Sequence, residues 1–281
     1  MKHDPDTNTS FDGSRPPRIW LANVGANAAH PFFSPRFEDG TFELLPIPET
    51  PPDAGPHSVV FADVPAYNNS GNNAGNNSGE TLGRWVPERF LGVATHYDPE
   101  FTTLTYGDHV GRNARAAALK GVQPGDVMFF IVRLADWVDG AFTGRFGFYL
   151  AGFLEVESIL SDVRAEPSES ELKRYGTNAH IRRGFNDPSE NWDGFWVFGG
   201  SDKSMRLKYG VPVDRAFADS VFRRADGGRW NWSSARTELQ TIGSYTRSCR
   251  CVIDTCDADG QERAAALWSA VEELNPGARP D

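Results

Sequence analysis

The sequence predicts an α+β protein built on a curved, mostly antiparallel β-sheet or a small β-barrel, with a few flanking helices. Three observations carry that expectation. The stretches 125–137, 145–160, 195–201 and 250–256 are apolar runs rich in Phe, Val, Ile and Leu, the composition of strands buried in a sheet. The second of them carries Gly147 and Gly152, and a glycine inside a strand marks a bend or a close backbone approach. Helical patterning is confined to short segments, so strands outnumber helices.

Taken in order, residues 1–17 contain no apolar run and are expected to form a disordered leader. A single domain follows over 18–275, with a short tail at 276–281. "RIWLANVGA" (18–26) begins as an apolar strand and breaks at Gly25, between Asn23 and Asn27. Residues 34–66 are rich in proline, which fixes φ and removes a hydrogen-bond donor, so this stretch must run extended or in turns. The Asn/Gly/Ser tract at 67–80 has nothing with which to build a core and is expected to be a flexible surface insertion. An Ala-rich segment, 111–121, suggests a small helix, with Asp108 placed to cap it. "SESELKRYGTNAHIRRGF" (168–185) suggests a short capped helix followed by a basic, polar loop. A C-terminal amphipathic helix over 260–274 offers Ala265, Leu267, Trp268, Val271 and Leu274 to the sheet.

Composition bounds the function. The chain has 281 residues and a formal net charge of −10, which disfavours coating nucleic acid by charge alone. Local basic pairs remain, at Lys173-Arg174, Arg182-Arg183, Arg223-Arg224 and Arg247/Arg250. No run of about 18 apolar residues exists to cross a membrane, and no apolar signal segment opens the chain. Three clustered cysteines, Cys249, Cys251 and Cys256, do not form a disulfide framework and lack the spacing of a zinc site, so a reducing cytoplasm fits. The phosphate-binding, dinucleotide, zinc-protease and serine-hydrolase motifs are missing, which counts against enzymes of those kinds.

Polar residues at turns supply the candidate site. His96 and Asp98 lie two apart, so in an extended segment both project to one side. They suit either a catalytic pair, with His96 as acid/base and Asp98 orienting it, or a hydrogen-bonded structural corner. Asp108 suits a site or a cap. Arg36, Glu38 and Asp39 sit in the rigid segment "SPRFEDGTFELLPIPE" (34–49), which could hold them beside a ligand or serve only as a clamp. Trp137, Trp192, Trp196, Trp230 and Trp232 could stack on a base or simply pack.

Three stretches in order, "NVGANAAHPFFSPRFEDGTFELLPIPE", "THYDPEF…TYGD" and "GDVMFFIVRLADW", resemble the nucleotide modification associated domain family, most closely its third numbered type. "NAHI" (178–181) and "YTRSCRCVI" (245–253) are similar to later features of that family, so the resemblance spans roughly 18 to 256. The family's usual Lys-Gly-Phe-Asp-type loop is replaced here by Asn23-Val24-Gly25-Ala26-Asn27, so no role tied to that Lys or Asp carries over. The resemblance implies work in a system that modifies bases in DNA or RNA, with a nucleic acid or modified nucleotide as partner, alongside other base-modification enzymes. It names no cofactor. It points to Asn23, Gly25, Asn27, Ser34, Arg36, Asn178, His180 and Arg247 as nucleotide-binding candidates, with Glu49 a further residue to test. The strand order is also similar, at fold level, to PUA, ASCH and EVE-like barrels, which bind RNA or a modified base in a cleft.

Three classes of function follow. The chain is a module that recognises a modified nucleotide, or an enzyme on which Asp39, His96, Asp98 and Asp108 converge, or a structural interaction protein. No metal site is assigned, although a metal held by these carboxylates and His96 is a variant of the enzymatic reading. Convergence of Asn23, Arg36, Asp39, His96 and Asp98 on one pocket separates the first two classes from the third.

Overall fold

The computed structural model of the chain describes residues 15–50, 55–67, 80–223, 227–246 and 249–279. All but the ends of the Asn/Gly/Ser tract, most of the leader, and Arg247 lie outside the described residues. The strands are β1 (Arg18–Asn23), β2 (Ser34–Arg36), β3 (Ile47–Pro48), β4 (Thr95–His96), β5 (Thr105–Asp108), β6 (Val127–Val138), β7 (Ala141–Val163), β8 (Phe195–Gly200), β9 (Met205–Pro212) and β10 (Arg250–Asp254). The helices are α1 (Glu169–Tyr175), α2 (Ala179–Asn186), α3 (Arg215–Ser220), α4 (Glu238–Tyr245) and α5 (Ala258–Leu274).

The main sheet runs β10-β1-β6-β7-β8-β5, with β2 added alongside β6 and β9 alongside β7. β1 and β2 lie parallel to β6, and the other pairings are antiparallel. The α+β class and the mostly antiparallel sheet of the expectation are therefore present. The barrel alternative is not: the sheet is open, with β10 at one end and β5 at the other. The physical reason lies in β7. Its first part pairs with β6, and from Val156 onward it pairs with β8 instead, which carries the sheet away and keeps its ends apart.

The continuous apolar run of β6 reflects burial on both faces. Val127, Phe129 and Ile131 enter one core, with Trp268, Leu267 and Val271 of α5 over them. Met128, Phe130 and Val132 enter the other, beneath Leu119, Phe42 and Leu44. Strand alternation thus divides a single run between two cores. β1 divides in the same way, Ile19 and Leu21 against Trp20 and Ala22.

The bend foreseen in β7 falls at Gly152, where the register against β6 and β9 shifts. A Cβ there would lie 2.5 Å from the Phe101 ring and 2.7 Å from the Met205 carbonyl oxygen, so packing excludes any side chain.

Three elements differ from expectation. The segment 111–121 is a run of turns closing in a 3-10 helix, Ala117–Gly121. Its apolar residues Ala116, Leu119 and Val122 recur every third position, the period of that helix, and all three are buried. The polar loop expected after α1 is instead a second helix, α2, capped by Asn178, whose side chain accepts from the His180 amide. α1 itself has the foreseen capping box, Ser168 with Glu171. On α5, Leu267, Trp268 and Val271 are buried, whereas Ala265 and Leu274 are exposed.

Candidate functional site

Three of the six histidines of the chain come together where β4, β5 and the start of α2 meet. The His96 and His180 rings lie 4.6 Å apart, and those of His109 and His180 4.8 Å apart. Asp98 sits among them.

Local structure fixes each group. β3 pairs with β4, Ile47 opposite His96, and the Glu49 amide donates to the Ala94 carbonyl at 2.8 Å. That pairing sets the Glu49 Oε1 2.9 Å from His96 Nδ1, so the remaining ring nitrogen of His96 points inward, 4.0 Å from Asp98 Oδ2. The other Glu49 oxygen takes Arg183 Nε at 3.2 Å. Asp98 precedes a cis peptide bond to Pro99 and is held by the Gly107 amide at 2.7 Å. Asn178 has a double task. Its oxygen caps α2, and its Nδ2 reaches Asp98 and the Thr105 hydroxyl, each at 3.4 Å. The cap thus places His180, in the first turn of α2, with Nε2 3.8 Å from Asp98 Oδ2.

The Asp98 and His180 side chains are 1% and 4% exposed, while those of Glu49, His96 and Arg183 are 12%, 16% and 26% exposed. Burial pushes the Asp98 carboxyl up to about 7, although His96 and the Gly107 amide pull the other way. Burial also holds the His180 imidazole well below its ordinary value, helped by the charge of His96 and His109. For His96 burial acts in the same direction, but the hydrogen bond and charge of Glu49 prevail, and its pKa is raised. Glu49, itself opposed by burial, is held low by His96, Arg183 and Arg182.

An outer ring completes the site. His109 Nδ1 lies 3.2 Å from Asp193, which also takes Arg112 at 3.0 Å. Arg182 donates to the Thr177 carbonyl, while its buried Nη2 has no hydrogen-bond partner. Phe195 stacks on His180, and Trp192 on Phe195, forming an aromatic wall. Surface hollows beside α1 and α3 are lined by other residues.

Of the residues singled out in the sequence, His96, Asp98, Asn178 and His180 meet here, with Asp108 beside them. Asp108 does not cap a helix. It ends β5, accepting from the His109 amide at 2.7 Å and the Tyr106 hydroxyl at 3.1 Å. The partner that orients His96 is Glu49, not Asp98. Glu49 is the one member of the 34–49 segment found in the cluster.

The other candidates have partners elsewhere. Asp39 accepts from the amide and hydroxyl of Thr41, which closes a turn. Arg36 pairs with Asp136 at 3.1 Å and lies over Tyr149. Asn23 donates to Thr246, and Asn27 accepts from the Ala29 amide. Gly25 has φ +73°, and a Cβ there would lie 2.8 Å from Leu44, which explains it by backbone geometry. Trp230 packs on Tyr245 at 3.8 Å, and Trp232 donates to Asp219; of the five tryptophans singled out, Trp192 is the one in the aromatic wall.

Ser34 is fully buried and accepts from the Leu45 amide at 3.0 Å. Ser34→Ala strands that amide, and thermal or urea unfolding should show a loss of about 1–3 kcal/mol. Binding at the histidine cluster should be unchanged.

His109, Asp193 and the two arginines were missed as site residues. Asp193 sits in a polar loop with no motif, and Arg182-Arg183 looks like any solvated pair until α2 turns it toward Glu49.

Fold and site together define an open mixed sheet with a buried His/Asp cluster at its β5 end. The chain belongs to the nucleotide modification associated domain 3 family, whose model matches residues 18–234. No curated protein and no solved structure matches it. The family places the chain in nucleotide modification systems, and among the described residues no helix is long and apolar enough to cross a membrane.

Proposed function

We propose that the chain recognises a modified nucleotide within a nucleic-acid base modification system, working beside other base-modifying enzymes. The base would enter at His96, Asp98 and His180, with a phosphate on Arg182 and Arg183. The observation that supports this reading is the convergence of His96, Asp98, Asn178 and His180, from separate segments, next to two guanidinium groups. Fixed polar groups read a base edge, aromatic faces stack on it, and arginine suits phosphate. A purely structural role gives no reason for that gathering.

The test is fluorescence anisotropy with short labelled oligonucleotides, carrying modified or unmodified bases, at low and at physiological salt. The expected result is a preference for one modified base, with Arg182→Ala lowering affinity for every oligonucleotide alike. Equal affinity for every oligonucleotide at low salt sinks the reading.

The Glu49–His96 pair favours a second reading, in which the bound nucleotide is also transformed. A carboxylate that fixes one face of an imidazole sets the other face toward a reacting group. Here Glu49→Gln should keep nucleotide affinity and lose most turnover; equal turnover by the variant would remove the enzymatic version.

A further inference from the structure

We propose that His96 Nε2, His180 Nε2 and a carboxylate oxygen of Asp98 form a three-ligand site for a divalent first-row transition-metal ion, with coordination positions left open toward solvent. The three donors lie within 4.8 Å of one another. Asp98 Oδ2 is 4.0 Å from His96 Nε2 and 3.8 Å from His180 Nε2. Ligand atoms bound at about 2.1 Å to a common ion can stand at most about 4.2 Å apart, so both pairs that include Asp98 are already within reach of one ion, and drawing in the third donor takes a small side-chain movement.

Three further observations favour a metal over a self-sufficient polar core. The first is the support of His96. Its Nδ1 is taken by Glu49 at 2.9 Å, which fixes the ring and frees Nε2, the outer-shell arrangement by which carboxylates orient metal-bound imidazoles. Glu49 is steadied in turn by Arg183. The second is Asp98. Its carboxylate is buried, receives the Gly107 amide and Asn178, and has no Lys or Arg within ion-pair distance among the described residues, so a buried acid lacks the cation it would ordinarily require. The third is His180, 4% exposed, whose Nε2 faces the Asp98 carboxylate at 3.8 Å, too far for a hydrogen bond. Two buried polar groups that face one another across such a gap leave room for an ion between them.

Two imidazoles and one carboxylate suit Zn, Fe, Co or Ni better than Ca or Mg. Three protein ligands with an open side are the pattern of a reactive centre, whereas structural zinc sites close with four. The proposal deepens the reading of the same cluster as a nucleotide site, yet its test needs no nucleotide. Full-length protein is stripped with chelator and titrated with Co²⁺ alone, followed by visible absorption, and with Zn²⁺ alone by calorimetry.

One ion per chain is expected, with Asp98→Asn and His180→Ala each weakening binding at least about 100-fold and Glu49→Gln about 10–100-fold. Circular dichroism confirms that each variant is folded. Absence of stoichiometric binding to the wild-type chain overturns the proposal, and so does binding that survives all three substitutions. Nucleotide affinity is measured separately in chelator. Metal binding without nucleotide preference leaves this proposal standing and the nucleotide reading overturned; the reverse result separates them in the other direction.

Discussion

Replacing Asp126 by alanine should cost about 3–5 kcal/mol of folding stability, as much as truncating a large side chain of the core. Asp126 is 1% exposed and gathers five donors from three places. Arg15 reaches both its oxygens at 2.7 Å, the Arg18 amide and the Trp20 indole donate at 2.9 Å, and the Gln123 amide at 3.0 Å. The carboxylate therefore fastens the start of β1 to the turn that enters β6. Alanine takes the acceptor from the buried Trp20 indole N–H and leaves the Arg15 guanidinium only the Pro16 and Gly121 carbonyls, and the stranded indole retains its desolvation penalty. Asp126→Asn keeps the shape but cannot accept at both ends, so it should lose less. Urea denaturation gives both values. A loss below about 1 kcal/mol for the alanine variant would show that β1 is anchored by its apolar face alone.

Gly107→Ala should damage the site more than the fold. A Cβ at this position would lie 2.4 Å from the His180 ring, 2.9 Å from Asn178 Oδ1 and 3.2 Å from Asp98 Oδ2. β5 cannot retreat, because Gly107 is paired with Val197 on β8. The three side chains must move instead, and overpacking of this kind costs about 1–3 kcal/mol. The displaced groups are two of the proposed metal ligands and the cap that positions one of them, so Co²⁺ affinity should fall by at least about 10-fold, the scale seen when supporting groups are lost. A folded Gly107→Ala protein that binds Co²⁺ like the wild type would place the metal elsewhere.

Much of this arrangement was legible before any coordinates. The long apolar runs became β6, β7, β8 and β10, because burial on both faces leaves continuous hydrophobicity in the sequence. Ser168 and Glu171 announced α1, since a capping box is local chemistry. The spacing of His96 and Asp98 signalled a shared side because a two-residue step is intrinsic to extended chain. His180, Asn178 and Glu49 entered only through resemblance to a family, and their meeting depends on β3 pairing with β4 and on α2 docking beside β5, long-range events without a local signature. Short strands such as β3, two residues long, lie below what periodicity can detect. Arg36 and Asp39 could not be placed for a related reason: a rigid, polar, Pro-rich segment looks the same whether it clamps a turn or frames a ligand, and here only its last residue reaches the histidine cluster.

β7 runs for 23 residues and shares hydrogen bonds with β6, β9 and β8 in turn. One continuous backbone thus belongs to the layer beneath α5 and also holds β8, the strand on which Gly107 of β5 is paired. Opening either region means breaking the same strand, so the two should not unfold as separate units. Amide protons of β6, early β7 and β8 should exchange at one common, slow limit, and denaturant should reveal a single transition. The histidine cluster then inherits the full cooperativity of the molecule, and its geometry persists for as long as the chain stays folded.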